Sequence, residues 1–234
     1  MQVDVVLISY NQEQYIAQAV ESILMQRVKD DVQVRVIVAD DSSKDKTLEI
    51  IKSYEDKSSF PFVYLSAEKN LGIAWNYKRA FEIVEADYVA IIEGDDWWCD
   101  VYRLQKHIDY LSTHTSVCYT KNALYLYSQK YNVWSVQFDK IDMVVTLKDL
   151  VFNNQLLGNL SSCVFKGNIL KSLDEKVYEF SSAMGGVCDW FIGLDILRYG
   201  VGTILPDIMS VYRIDTGENV SRKEMSKNEE LVFL

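Results

Sequence analysis

The sequence predicts an α/β fold in which a mostly parallel sheet is flanked by helices. Three observations lead there. Short β-branched runs alternate with stretches of helical periodicity through the first half of the chain. Of the 234 residues, 49% are apolar, enough for a chain of this length to bury roughly 70% of its unfolded surface around a sizeable core. Three of the strand-like runs end in polar clusters, and a parallel sheet gathers such ends at one edge.

The elements follow in order. Val3 to Ile8 is a β-branched apolar run, a buried strand. It exits into Ser9-Tyr10-Asn11, where Asn11 with Gln14 reads as a capping box for a helix carrying Ile16, Ala19, Val20, Ile23 and Leu24 on one face. Val34 to Ala39 is a second strand and exits into Asp40-Asp41-Ser42-Ser43. Leu48, Ile50, Ile51 and Tyr54 mark the next helix, and Phe62 to Leu65 a third strand. Gly72 to Val84 is helical, with Ala74, Tyr77, Ala80, Phe81 and Val84 inward. Tyr88 to Ile92 is a fourth strand and stops at Glu93-Gly94-Asp95-Asp96. Strand and helix alternating at this spacing form βαβ units.

The second half is less regular. Val101, Leu104, Ile108 and Leu111 predict a helix, and residues 116–138 are β-rich in three pieces. Thr146 to Phe152 and Lys166 to Leu173 read as short helices, and Asp189 to Tyr199 as a longer one. Thr203 to Pro206 and Ile208 to Ile214 read as two closing strands. Ten Gly, two Pro and no low-complexity stretch give little punctuation for a boundary. The expectation is one domain, 1–234, in two lobes: 1–112, 113–220 and a polar tail at 221–234.

Charge narrows the function. With 24 Lys+Arg against 34 Asp+Glu the net charge is −10, and no basic stripe offers itself to nucleic-acid phosphates or to an anionic membrane. Cys99, Cys118, Cys163 and Cys188 are too scattered for a disulfide framework or a zinc site, so reduced thiols are expected. No signal-peptide pattern and no apolar run near ~18 residues occurs, and the expectation is a soluble, cytoplasmic protein.

The chemistry then rests on carboxylates. His107 and His114 both fall on or after the 100–112 helix, too close in context for a triad or a multi-His metal site, and read as surface or boundary residues. Gly185-Gly186 is a flexible turn, and no phosphate-loop motif occurs. Asp95 and Asp96 at a strand end suit a hard divalent cation, Mn²⁺ or Mg²⁺, whose shell is completed by phosphate oxygens. Of Trp97 and Trp98, one is expected in the core and one beside a ligand.

These segments, taken together, resemble the family 2 glycosyltransferases, inverting enzymes of the GT-A fold that use nucleotide-sugar donors. The resemblance runs over VDVVLISYNQEQYIAQAVESILMQ (3–26), VIVADDSSKDKT (36–47), NLGIAWNYKRAF (70–81), DYVAIIEGDDWW (87–98), RLQKHIDYL (103–111), CDWFIGLDILRYG (188–200) and LPDIMSVYRID (205–215). It implies a Rossmann-like central sheet with a smaller, mixed acceptor-side lobe. It implies that Tyr10 stacks on the nucleobase beside the Ile8 backbone, that Asp41 meets the base edge, and that Asn11 and Asn70 shape that pocket. Glu93 matches a donor-binding position, Asp95 or Asp96 the metal ligand, and Asp189 the catalytic base. At 212–215 the family often has Y-R-x-H, where the His helps bind metal and diphosphate; this chain has Asp215, which is also able to ligate the ion.

The implied partners are a nucleotide-sugar donor, UDP-linked by expectation, and a glycan or lipid-linked glycan acceptor, with peripheral membrane association left open. Residues 158–163 and 181–188 are expected to line the acceptor side, and Arg213 or Lys78 to add positive charge at the diphosphate. Two other readings compete. A nucleotidyltransferase would open with a glycine-rich loop where Ser9-Tyr10-Asn11 stands, and a non-catalytic carbohydrate- or nucleotide-binding module is favoured only by Asp215.

Overall fold

The computed structural model describes residues 1–65, 67–137, 143–153 and 156–214. Asp215 and the 221–234 tail lie outside the described residues.

The first half is the predicted alternation. Strands β1 (Gln2–Ser9), β2 (Gln33–Asp40), β3 (Phe62–Tyr64) and β4 (Tyr88–Glu93) pair in parallel in the order β3-β2-β1-β4. Helices α1 (Ile16–Leu24), α2 (Thr47–Lys52) and α3 (Ile73–Glu82) are the crossovers. After β4 the chain adds the two-residue strand β5 (Trp97–Trp98), helix α4 (Arg103–Thr113) and the hairpin of β6 (Val117–Ser128) with β7 (Val133–Gln137). The remaining elements are β8 (Val144–Val145), α5 (Leu147–Phe152), β9 (Cys163–Lys166), α6 (Gly167–Leu170), α7 (Glu175–Ala183), α8 (Cys188–Ile196) and β10 (Val201–Ile214). One sheet runs through all of it, in the order β3-β2-β1-β4-β9-β6-β10-β5, with β7 on β6 and β8 on β10. It is parallel up to β4 and mixed beyond, because β9 enters antiparallel to both β4 and β6.

The parallel strands read as near-continuous apolar runs because both sheet faces are covered. Val6 and Ile8 of β1 face one core with Tyr77, Phe81, Ile192 and Ile196. Val3, Val5 and Leu7 face the other, with Ile16, Val20, Ile23 and Leu104. Helix α1 keeps the predicted apolar face, and Ile16, Ala19, Val20 and Ile23 are all buried.

Several expectations need correction. Helix α1 starts at Ile16 after Tyr15, with no side-chain cap, so Asn11 and Gln14 form no capping box. Asn11 instead adopts φ 50°, a left-handed turn that Asn tolerates. Its N–H donates to Ser43 Oγ (2.9 Å) and its Oδ1 accepts from Lys44 N (2.7 Å), tying the exits of β1 and β2 together. The pieces read at 116–128 are one strand, since the polar Lys121 and Asn122 between them are themselves fully buried. The closing pair is likewise one strand, β10, whose register shifts between Leu205 and Ile208, around the exposed Pro206. The helix read at 166–173 is the short α6, whose first residue, Gly167, lies where the Ala86 carbonyl leaves no room for a Cβ. All four cysteines are free, as expected.

His107 is not a surface residue. It is fully buried on α4, between Thr120 and Asn122 of β6. Asn122 Oδ1 already accepts from Arg103 Nε (3.0 Å), so His107 Nε2–H donates to that oxygen and Nδ1 accepts from Thr120 Oγ1 (2.7 Å), an assignment made from the network. Burial, with the nearby Arg103 cation, holds the imidazole pKa well below its ordinary 6.5. Above that value neither folded nor unfolded chain binds the proton; below it only the unfolded chain does, so stability falls as pH drops. The loss is about 1.4 kcal/mol per pH unit. Replacing His107 with Gln should therefore lower stability at pH ~7.5 by about 1–3 kcal/mol through the buried hydrogen bonds, yet make the decline between pH ~6.5 and ~5 shallower. Urea denaturation across that range measures both.

Candidate active site

Strand register brings the three polar exits together. Ser9 lies beside Asp40, and Ile8 beside Glu93. Two backbone bonds extend the pairing past the strand ends: Asp41 N donates to Ser9 O and Gly94 N to Ile8 O, each 2.9 Å. Gly94 leaves room there for the ends of the Gln12 and Ile16 side chains, which would have to shift to admit a Cβ. The Ile8 side chain is buried, so only its backbone reaches this edge.

Tyr10 follows directly and is 42% exposed, its ring open to a stacking partner. Asp41 is buried, and its two oxygens accept from Leu71 N and Gly72 N at 2.8 Å each. Asn70 is exposed and its Oδ1 accepts from Gly72 N at 3.1 Å. Both residues thus shape the 70–72 turn ahead of α3, and Asp41 keeps lone pairs for a further donor.

The acidic loop after β4 is clamped. Asp96 is buried; its Oδ1 accepts from Arg213 N (2.9 Å), and its Oδ2 from Asn159 Nδ2 (2.7 Å) and Ser161 Oγ (2.6 Å). Arg213 Nε donates to Asp95 O (2.9 Å), and its guanidinium packs over Tyr15, Trp97 and Tyr127. Glu93 accepts from Tyr77 Oη at 2.6 Å, and Glu93 N donates to Ser161 Oγ at 3.0 Å. Glu93, Asp95 and Asp96 each offer an oxygen within 4.8 Å of the others. A cluster of hard carboxylate oxygens fits Mn²⁺ or Mg²⁺. Of the three, Asp96 is buried whereas Asp95 and Glu93 are only partly so, which leaves those two on the side open to an ion.

Electrostatics agree that charge is unbalanced here. Burial, helped by Asp95 and Asp189, pushes the Glu93 carboxyl from 4.5 up to about 7, although the Tyr77 hydroxyl opposes the shift. Burial and the charges of Asp95 and Glu93 push Asp96 up as well, against the pull of Ser161 and Asn159. Asp189 stands on the first turn of α8, partly buried, and burial raises its pKa while the Trp190 amide and the Lys121 cation hold it back. Asp189 and Glu93, 96 residues apart in sequence, are therefore within electrostatic reach of each other.

Other expected residues are placed differently. Lys78 pairs with Glu82 (2.7 Å) and Glu175 (3.5 Å) rather than with the acidic loop. Ser161, Ser162 and Cys163 are buried beneath that loop, so this part of 158–163 does not line an open acceptor face. Residues 182–185, by contrast, are exposed ahead of Asp189, and Gly185 and Gly186 take φ of 72° and 96°. Trp98 is the core tryptophan, its Nε1 donating to Ser161 O (2.9 Å), and Trp97 is half-buried against Tyr127 and Trp134. Sequence reasoning misses Tyr77 and Lys121 as neighbours of the site, and places Asn159 and Ser161 on the acceptor side whereas they bond the acidic loop. Only Tyr77, a phenol on an apolar helix face, carried a visible signal.

Glu93 yields a prediction. Its folded pKa lies above the unfolded value, so its ionisation destabilises the fold as pH rises from about 4.5 to 7. The full cost, roughly 3 kcal/mol, applies above that range. Glu93→Gln should stabilise the metal-free protein at pH ~8 by an amount that shrinks toward pH ~5, read by urea denaturation at both.

Comparisons with known proteins identify the family and the fold. The uncharacterised protein Rv1520 of Mycobacterium tuberculosis is 31% identical over 215 residues, covering 89% of this chain and 58% of its own. The crystal structure of S. aureus TarS 1-349 in complex with UDP-GlcNAc superposes with a TM-score of 0.73 at 23% identity, covering 97% of this chain and 62% of that one. The mannosyltransferase PcManGT from Pyrobaculum calidifontis, in complex with GDP-Man and Mn²⁺, gives a TM-score of 0.61 at 15% identity, covering 90% and 56%. The chain thus spans about three fifths of the relatives it matches. No described helix is long and apolar enough to cross a membrane. The fold is that of the GT-A glycosyltransferases, and the family model described as glycosyl transferase family 2 matches residues 4–165, so the chain belongs to that family of glycosyltransferases.

Proposed function

We propose that the protein is a metal-dependent, inverting glycosyltransferase that moves a hexose from a UDP-sugar to a hydroxyl of a glycan or glycolipid. The observation that carries the reading is the convergence of Glu93, Asp95 and Asp96 with Asp189 at the carboxyl edge of the parallel strands. The UDP-GlcNAc in the TarS complex and the Mn²⁺ in the PcManGT complex support the donor and the cation.

Tyr10 would stack on the base, Asp41 accept from its edge, and Asn11, Asn70 and the Ile8 backbone frame that pocket. Asp95, with Glu93 and with Asp215 outside the described residues, would hold the cation. A bound Mn²⁺ or Mg²⁺ offsets charge that grows on the departing diphosphate. Asp189 takes the proton from the acceptor hydroxyl as its oxygen bonds to the anomeric carbon; the bond from that carbon to the diphosphate oxygen breaks, and the configuration inverts. Partial burial moves Asp189 toward neutral pH, where a base works best, and Lys121 limits the rise. The lipid-linked acceptor, work at the inner membrane face, and a single domain over 1–234 belong to the same proposal.

Two measurements test it. Calorimetry should show UDP binding only with Mn²⁺ or Mg²⁺ present; equal affinity in EDTA would remove the metal from the account. Asp189→Asn should bind UDP with Mn²⁺ as the wild type does while losing roughly 10²–10⁴-fold in transfer rate, and near-wild-type transfer would sink the base assignment.

A further inference from the structure

We propose that Ser161 is a positioning residue for the acidic loop and sets the affinity of the site for its divalent cation. The inference rests on the metal-dependent reading above. Ser161 is fully buried in the turn that leads into β9, more than 60 residues from the loop in sequence. Its hydroxyl accepts from Glu93 N at 3.0 Å and donates to Asp96 Oδ2 at 2.6 Å. Its carbonyl accepts from Trp98 Nε1 at 2.9 Å and Arg103 Nη2 at 3.0 Å. One residue therefore grips the loop at its first, fourth and sixth positions, and Asp95 lies between those grips.

The two halves of Ser161 do separate jobs. The carbonyl anchors Trp98 and the buried Arg103, whose guanidinium has no carboxylate in hydrogen-bond contact among the described residues. That contact survives any side-chain change. The hydroxyl alone fixes the start of the loop and the orientation of the Asp96 carboxylate. With Asp96 turned toward Arg213 N and Ser161, Asp95 is the aspartate presented to an ion. Outer partners of this kind typically change metal affinity by about 10–100-fold when removed.

The test uses Ser161→Ala, which keeps the carbonyl and deletes the hydroxyl. Thermal melts without ligand report the fold, and calorimetric UDP titrations over a Mn²⁺ series report the metal. The Mn²⁺ concentration giving half-maximal UDP binding should rise roughly 10–100-fold, while UDP affinity at saturating Mn²⁺ stays near wild type and the ligand-free melt moves by only a few degrees. An unchanged Mn²⁺ midpoint overturns the proposal. Should Ser161→Ala fail to fold, Ser161→Cys, which keeps the bulk of the side chain and exchanges the hydroxyl for a weak thiol donor and acceptor, decides in its place: a raised midpoint supports the clamp, an unchanged one overturns it. A wild type without metal-linked UDP binding overturns the functional reading itself, and the proposal with it.

Discussion

The interaction on which the site depends is the burial of the Asp96 carboxylate at the junction of three chain segments. Arg213 N arrives from β10, and the Asn159 and Ser161 side chains from the turn before β9. Desolvating a carboxylate costs several kcal/mol unless donors replace the lost water, so all three segments must be in place for the loop to close. That requirement couples the parallel half of the sheet to the mixed half. It also explains why Arg213 is so fully occupied: its backbone holds Asp96, its Nε holds Asp95 O, and its remaining nitrogens hold Gln18 and Gln129.

The same clamp concentrates negative charge. Glu93, Asp95, Asp96 and Asp189 share one sheet edge of a protein whose net charge is −10. Lys121 tempers Asp189 and Arg213 tempers the loop, yet Glu93 still rises to about 7. Without a cation the folded chain carries unfavourable electrostatic energy at this edge, stored where function needs it. An anionic diphosphate donor is compatible with such an edge only if positive charge comes with it. The acidic composition, which first excludes nucleic acid, ends as an argument for the ion.

Much of this was legible in the sequence because it is local or periodic. Alternating apolar runs gave β1 to β4 and their helices, and Glu93-Gly94-Asp95-Asp96 stood out against an apolar strand. What escaped depends on partners distant in sequence. His107 looks like a surface residue until Thr120 and Asn122 of β6 pair with it. Strand β9 is four residues long and exists because β4 and β6 leave a slot between them. Helix α7 (Glu175–Ala183) buries only Val177, Tyr178 and Ser181, too few apolar positions to stand out as a helical period. Ser161 is an ordinary serine in sequence, and only three-dimensional packing sets it against the acidic loop. Asn11 has the chemistry of a cap, a side chain that replaces backbone partners, but it serves the β2 exit rather than a helix.

The central claim is that Asp96 is structural and Asp95 faces the ion. Anomalous diffraction from a crystal grown with Mn²⁺ and UDP tests it most directly. The account predicts a manganese peak in coordination contact with the Asp95 carboxylate, with Asp96 still bonded to Arg213 N, Asn159 and Ser161. A peak coordinated by Asp96, with those three bonds broken, would contradict it.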